Sequence, residues 1–272
     1  MIYEKPIGTK ELRAERQKES VSSLQTQATS SIPSSSLQIP SAYKKEDGVL
    51  DYGLICIISG GTKRECDFLN ELRKKNTFKS VEVIFISTQK GEGGLTPIMM
   101  QEKYKTICQE GYLKHDARVV RLENVDKIYM FTDVDHYEEQ LKKILAKEES
   151  RSPIWIISNP CFEIWLYYCY RNDPHEDLRD VKEGENSQRS STLKRVNGTF
   201  NNGGGLDPRK AFKYLKDGII HSEQHYQETD GIPDVLSTQM HLFAKDVLIQ
   251  LGDDYDTFVK SSLKFDKSRR CI

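Results

Sequence analysis

Residues 127–137 read KIYMFTDVDHY, and this stretch decides how the rest of the chain is understood. An apolar run of β-favouring residues closed by Asp133, Val134 and Asp135 predicts a buried strand running out into a loop. In a parallel sheet, the carboxyl end of such a strand opens onto the crevice where ligands bind. Successive strand side chains alternate between faces, so Asp133 and Asp135 share a direction if the chain stays extended. Two carboxylates pointing together repel unless a cation stands between them, and a divalent ion is the usual answer. Read alone, the D-x-D more often has a plainer role, with Asp133 capping a helix that begins near Tyr137.

The sequence on either side repeats the pattern. Residues 54–58 (LICII) form a continuous apolar run followed by Ser59, Gly60, Gly61 and Thr62, a buried parallel strand delivering a glycine turn. Residues 64–75 place Phe68, Leu69 and Leu72 at helical spacing, with Glu65 in the opening turn. A second strand covers 81–86 (VEVIFI). Residues 90–97 (KGEGGLTP) make a glycine-rich loop that lacks the G-x-x-x-x-G-K-[ST] order of a P-loop, so no intrinsic NTPase is expected. A helical pattern covers 98–112, the third strand 127–132, and a helix 138–147. The fourth strand spans 153–158 (PIWIIS), after which Asn159 and Pro160 read as N-cap and first position of an apolar helix over 161–170. This alternation predicts an α/β protein: a parallel sheet of about four strands flanked by helices, with a C-terminal helical extension.

Beyond Arg171 the character changes. Residues 172–205 read as polar loop. Residues 208–220 predict an amphipathic helix, with Phe212, Leu215 and Ile219 on one side and Arg209, Lys210, Lys213 and Lys216 on another. A last helix is expected over 238–251, and a frayed basic tail over 260–270. At the other end, 11–19 is a short charged helix without an apolar face, and 20–41 is dominated by Ser, Gln and Thr. Such a composition folds only on a partner or not at all. The expected divisions are an arm over 1–50, a catalytic domain over 51–171, the helical extension over 172–259 and the tail over 260–272.

Bulk properties narrow the classes. The 272 residues are 37% hydrophobic and 30% charged, so most of the chain can fold. With 40 basic and 41 acidic residues, the net charge of -1 means that any contact with nucleic acid comes from local patches. The six cysteines are scattered with no C-x-x-C pair, which implies neither a zinc site nor a disulfide framework; Cys56 and Cys161 read as small core residues. No apolar span suits a bilayer, so the expectation is a cytosolic protein without membrane contact.

The acids form a constellation if the first and third strands are neighbours. Glu65, Asp133 and Asp135 then converge on one edge of the sheet, and the fourth strand delivers Asn159 and Glu163 there. Oxygen ligands without a Cys or His cluster favour Mg2+ or Mn2+. Several acids around such an ion suit phosphoryl-transfer chemistry. The competing account of Glu65 and Glu163 is a helix-dipole interaction worth under about 1 kcal/mol.

Together these residues resemble a known family. A strand, a turn with a glutamate and a later strand ending in D-x-D, within one parallel unit, resemble the TOPRIM fold, a Rossmann-like sheet found in topoisomerases, primases and OLD-type nucleases. More narrowly, 59–65 (SGGTKRE) with Phe68 is similar to a degraded E-G-x-x-T-E segment of RloB-like proteins. Asp133 and Asp135 stand where that family has its D-x-D. The most specific match is 158–165 (SNPCFEIW), which resembles the family's S-N-P-x-F-E-x-W. Residues 193–220 and 237–241 (STQMH) are similar too, so the resemblance covers roughly 53–250.

The resemblance implies a Mg2+-dependent nuclease (Mn2+ as the substitute) of bacterial anti-phage defence, cytoplasmic and often encoded beside an AAA-type or ABC-like ATPase. Its substrate would be DNA or RNA, tRNA included, and a homo-oligomer is a further expectation. Carried over, Glu65 matches the metal-ligand or acid/base glutamate, Asp133 and Asp135 the metal-binding aspartates, and Asn159 and Glu163 the motif that completes or positions the site. One departure stands out: Gly60 occupies the position of the first acid of E-G-x-x-T-E, which puts a second metal in doubt. Lys63 and Arg64 flank the turn as candidate phosphate contacts, and His136 is a candidate proton carrier or outer ligand. Arg209, Lys210, Lys213 and Lys216 could track a nucleic-acid backbone, although a solvated face is the commoner meaning of such cations. Two rival expectations are a non-catalytic TOPRIM module that binds nucleic acid or an ATPase, and an interaction protein acting through the Ser-rich arm.

Overall fold

The computed structural model describes residues 53–74, 77–88, 93–115, 118–147 and 153–269. The N-terminal arm, part of the 90–97 loop and the last residues of the tail lie outside the described residues. The strands are β1 (Gly53–Ser59), β2 (Val81–Ile86), β3 (Tyr112–His115), β4 (Arg118–Arg121), β5 (Lys127–Asp133) and β6 (Ile154–Ser158). Four of them form one parallel sheet in the order β2-β1-β5-β6, so the first and third predicted strands are indeed neighbours. The α/β expectation holds, and this arrangement is consistent with a TOPRIM-type sheet.

Strand periodicity explains why the central segments are apolar throughout. Ile55 and Ile57 of β1 share a core with Tyr129 and Phe131 of β5, whereas Cys56 and Ile58 share another with Met130. Alternate side chains therefore enter cores on opposite faces, and neither face tolerates a polar residue. One face is covered by α1 (Arg64–Phe68), α2 (Asn70–Arg73) and later helices. The other is covered by α3 (Pro97–Glu110), through Met100, Tyr104 and Ile107. The predicted helix over 64–75 is divided at Leu69, and α3 stops before Tyr112. Gly111, at φ 72, closes α3 in the left-handed region and turns the chain into the β3–β4 hairpin. After β5, α4 (Glu138–Leu145) places Leu141 and Ile144 under the sheet.

The helix after β6 starts later than expected. Asn159 does not cap it: its Nδ2 donates to the Pro233 carbonyl at 2.8 Å, and α5 runs Glu163–Tyr170. The Asn159–Pro160 peptide is cis. Downstream, the expected polar loop is mostly helical: α6 (Pro174–Asp177), α7 (Arg179–Glu183) and α8 (Asn186–Thr199). The sequence concealed α8 because tertiary anchoring at Ser190, Leu193 and Asn197 replaces an amphipathic stripe. The predicted 208–220 helix runs as α9 (Pro208–Ala211), a 3-10 turn (Phe212–Tyr214) and α10 (Leu215–Gln224), with Phe212, Leu215 and Ile219 in the main core as expected.

Two short strands, β7 (Glu228–Thr229) and β8 (Ile232–Pro233), precede α11 (Met240–Leu251). In place of a frayed tail, the chain continues as α12 (Asp253–Arg269), which places Tyr255 in the core. Residues 236–239 close the free edge of β6. Ile157 N donates to Gln239 Oε1 at 3.1 Å, Gln239 N to Ile157 O at 2.9 Å, and Leu236 N to Asn159 O at 3.0 Å. This uses the backbone groups that an uncovered edge strand would leave unpaired.

Candidate functional site

The site lies where the parallel strands end together. Ser59 is in register with Phe131, and Asp133 with Ser158, so β1, β5 and β6 present their carboxyl ends along one edge. Gly60 N donates to Phe131 O at 2.9 Å, which ties the first turn to β5 before α1 begins. The Glu65 carboxylate folds back over the turn into the space that a Cβ at Gly61 would occupy, so a side chain there would displace it. Glu65 is consequently 6% exposed although it stands in the opening turn of a helix.

Asp133 ends β5 half-buried, and its Oδ1 accepts the Phe162 N–H at 2.8 Å. It is thus a capping group, but for the turn that leads into α5 rather than for α4, where Tyr137 at the N-cap gives no side-chain bond. That turn carries Glu163, 6% exposed, whose Oε1 lies 3.9 Å from Arg64 Nε. Glu65, Asp133 and Glu163 therefore form one cluster of enclosed carboxyl groups. Burial, opposed by a backbone hydrogen bond at Glu65 itself and reinforced by the Glu163 charge, pushes the Glu65 carboxyl up to about 7. Burial, then repulsion from Glu65 and Glu163, holds the Asp133 carboxyl well above the usual carboxylate range. Such a cluster keeps protons, or admits a cation, because the fully ionised set has too little water around it.

Asp135 is placed differently. The chain leaves the extended conformation after Val134, and Asp135 sits at φ 21 with its N–H donated to Pro160 O at 3.1 Å. The condition under which the two aspartates point together is not met. Asp135 instead lines a hollow of about 450 Å3 with Asn159, Glu138, Asp230 and Asp234. Its Oδ1 is buried without a hydrogen bond, and the exposed His136 approaches it at 3.4 Å through Nε2.

Sequence reasoning missed Lys194. It extends from α8 at the site, and its neighbours identify its place: burial works to lower its ammonium pKa, but Cys161, Glu163, Asp133 and Asp135 together raise it. Asn197, one turn later on α8, donates Nδ2 to the Glu163 carbonyl at 2.8 Å and fixes that helix against the start of α5. Nothing in the local pattern NSQRSSTLKRVNGT marks either residue; the resemblance over 193–220 was the one available signal. Lys63, Arg64, Lys194 and Arg209 line a second hollow, of about 500 Å3, on the Glu163 side of the cluster.

The expected basic face is dispersed. Arg209 is fastened to Asp207, with Nε to Oδ1 at 3.0 Å, and Lys216 reaches Asp256 at 2.5 Å. Lys210 and Lys213 border a separate shallow hollow beside Phe258.

As the side chains stand, no three Asp, Glu, His or Cys groups surround a single point among the described residues. The fit to a cation is one of chemistry: an all-oxygen donor set, mutually repelling and shielded from water, with one Asp135 oxygen lacking any hydrogen bond. The position of the absent first acid is crowded: a Cβ at Gly60 would lie 3.0 Å from Leu95 O, tighter than an ordinary contact. Among the described residues no helix is long and apolar enough to cross a membrane.

Comparison with known proteins gives one positive finding. The model of the family described as RloB-like protein matches residues 55–246. No curated protein and no solved structure matches the chain.

Proposed function

The chain belongs to the RloB-like family, and from that premise and the enclosed carboxylates we propose that it is a divalent-metal-dependent nuclease of TOPRIM type. In this reading it hydrolyses phosphodiester bonds of DNA or RNA as a bacterial anti-phage effector working with an ATPase. The observation that carries the proposal is the convergence of Glu65, Asp133 and Glu163 at the carboxyl edge of the sheet, with Lys194 set against them. A structural role alone gives no reason to enclose three acids where their charges oppose one another.

Glu65, Asp133 and Glu163, the enclosed carboxylates, would hold Mg2+ or Mn2+; Asp135, expected as a ligand with them, lines the other hollow and would join the set only by leaving its present place. When bound, such an ion polarises the scissile phosphate and offsets the charge that develops on it. The protein's own groups do the rest. Glu65, with its carboxyl pushed up to about 7, carries or releases a proton near neutrality. Asp133 holds the Phe162 amide and so sets the start of α5, which presents Glu163. Lys194 and Arg64 supply positive charge on the phosphate side of the cluster.

The test is cleavage of DNA, tRNA and other RNA by the full chain with Mg2+, alone and with its ATPase. Asp133→Ala and Glu65→Ala are expected to abolish cleavage at least about a thousandfold. A wild-type protein inert on every substrate would remove the proposal. A second reading, a non-catalytic module that binds nucleic acid or the ATPase, has the crowded Gly60 position in its favour. That reading requires that Mg2+ and Mn2+ titrations give no binding.

A further inference from the structure

We propose that the hollow of about 500 Å3 beside Glu163 is the seat of a nucleic-acid backbone, which it grips by phosphate and not by base. The inference rests on the reading of the chain as acting on nucleic acid, and it names the face from which the strand approaches.

Three separate elements deliver cations to this hollow: Lys63 and Arg64 from the first turn, Lys194 from α8, and Arg209 from α9. Among the described residues neither Lys63 nor Lys194 is in an ion pair. Glu163, which Arg64 approaches at 3.9 Å, forms the boundary with the carboxylate cluster, so the hollow leads directly to the acids. The other acids there are Asp67 and Asp207; Asp207 and Arg209 hold each other, which leaves Lys63, Arg64 and Lys194 facing Asp67 and Glu163.

Part of the lining is glycine, beside Leu166, Asn197, Leu206 and Pro208. Gly198, Gly203, Gly204 and Gly205 form that part, and a Cβ added at Gly198 or Gly203 would meet nothing within 4 Å. A glycine stretch without side chains lets a sugar-phosphate chain lie close to the protein backbone, while the flanking ammonium and guanidinium groups neutralise its charge. Among the described residues no aromatic side chain lines the hollow, and none there offers a platform on which bases could stack. Contacts to phosphate alone position a strand without reading its sequence.

The hollow lined by Asp135 has the opposite character. Asp135, Glu138, Asp230 and Asp234 outnumber Lys142 and Arg189 there. A polyanion is drawn to the hollow beside Glu163 and repelled from the one lined by Asp135.

The experiment is binding of labelled single-stranded DNA and RNA oligonucleotides to the full chain in EDTA, followed by anisotropy across a salt series. Gly198→Glu places a negative charge in open space on a helix of ordinary φ, where it also improves helix propensity, so lost binding is not lost folding. It is expected to weaken binding at least about tenfold, and Lys194→Gln to reduce the salt slope by about 0.7 to 1, one phosphate contact. Lys194→Arg restores the slope. Lys142→Gln, in the other hollow, leaves binding unchanged. Wild-type affinity in both G198E and K194Q, no binding by the wild-type chain, or an equal loss in K142Q overturns the proposal. The two readings fail separately. Salt-dependent binding without Mg2+-dependent cleavage keeps the seat and removes the nuclease, whereas cleavage undiminished in G198E does the reverse.

Discussion

Raising the pH without divalent ions is expected to destabilise the folded protein, and Glu65 sets the size of the effect. Its carboxyl titrates at about 7 in the fold against an ordinary value of 4.5. Below 4.5 both folded and unfolded chains hold the proton, and the group makes no difference. Between 4.5 and 7 the unfolded chain ionises while the folded chain keeps its proton, so the folded state binds more protons and stability falls as pH rises. Above 7 the loss is complete and constant. At about 1.4 kcal/mol per unit, the span from 4.5 to 7 amounts to roughly 3 kcal/mol. That is a large fraction of the ~5–15 kcal/mol that keeps a domain folded. Asp133 is shifted in the same direction and shares its protons with Glu65, so the titration belongs to the pair and not to either residue.

Other groups are separable from this effect. Asp177 and Asp207 are held below the ordinary range; their stabilisation is present above the unfolded value and is lost as pH falls through the lower one. The partly exposed His225 and the buried His241 are shifted down, which favours the fold as pH rises. All of these cancel when wild type is compared with Glu65→Gln. The assay is urea unfolding of both proteins from about pH 4.5 to 8 in EDTA, then again with Mg2+. The wild type is expected to lose stability relative to the variant as pH rises, and to recover it with Mg2+ as the ion takes the place of the proton. An unchanged difference between the two proteins across this range would refute the reasoning about Glu65. Failure of Mg2+ to restore the wild type would refute the metal assignment alone.

Two further predictions concern the scaffold. A Cβ at Gly218 would stand 2.8 Å from Trp165 Cη2 and 2.9 Å from Cys169 Sγ, both fully buried or nearly so, and Gly218→Ala is therefore expected to lower stability by about 1–2 kcal/mol despite its gain in helix propensity; a stabilised variant in urea or thermal unfolding would contradict the close packing of α10 on α5. Tyr168→Phe removes the phenol that donates to the buried Leu236 carbonyl at 2.7 Å, at an expected cost of about 1–3 kcal/mol with cleavage retained, as measured by urea unfolding beside the nuclease assay.

The parts of the fold visible in the sequence are those where each residue's local pattern agrees with its final environment. The four apolar strands are largely buried, so LICII, VEVIFI, KIYMFT and PIWIIS announce themselves; the neighbouring of β1 and β5, a condition in the sequence reading, is met in the sheet. The place of Glu65 and Glu163 follows from that topology. The hidden parts depend on tertiary partners. Helix α8 is polar along most of its length and is held by Leu193, Ser190 and Asn197 against elements distant in sequence, and so Lys194 was hidden with it. Asp135 misled for a different reason: D-x-D invites an extended reading, whereas the chain turns at once and the second aspartate faces another hollow. Asn159 likewise resembles an N-cap, but its side chain is engaged by Pro233.

The clasp of residues 236–239 on β6 has a consequence for the order in which the protein comes into being. A ribosome releases Glu65, Asp133 and Glu163 well before it releases the segment that bonds to Ile157 and Asn159. Until then the nascent sheet has an open border beside its own acids, a border able to recruit the wrong strand. The C-terminal third therefore acts as the closing step of assembly. A chain cut after α5 would keep every acid of the cluster and still lack both the seal on its sheet and the lysine that faces them.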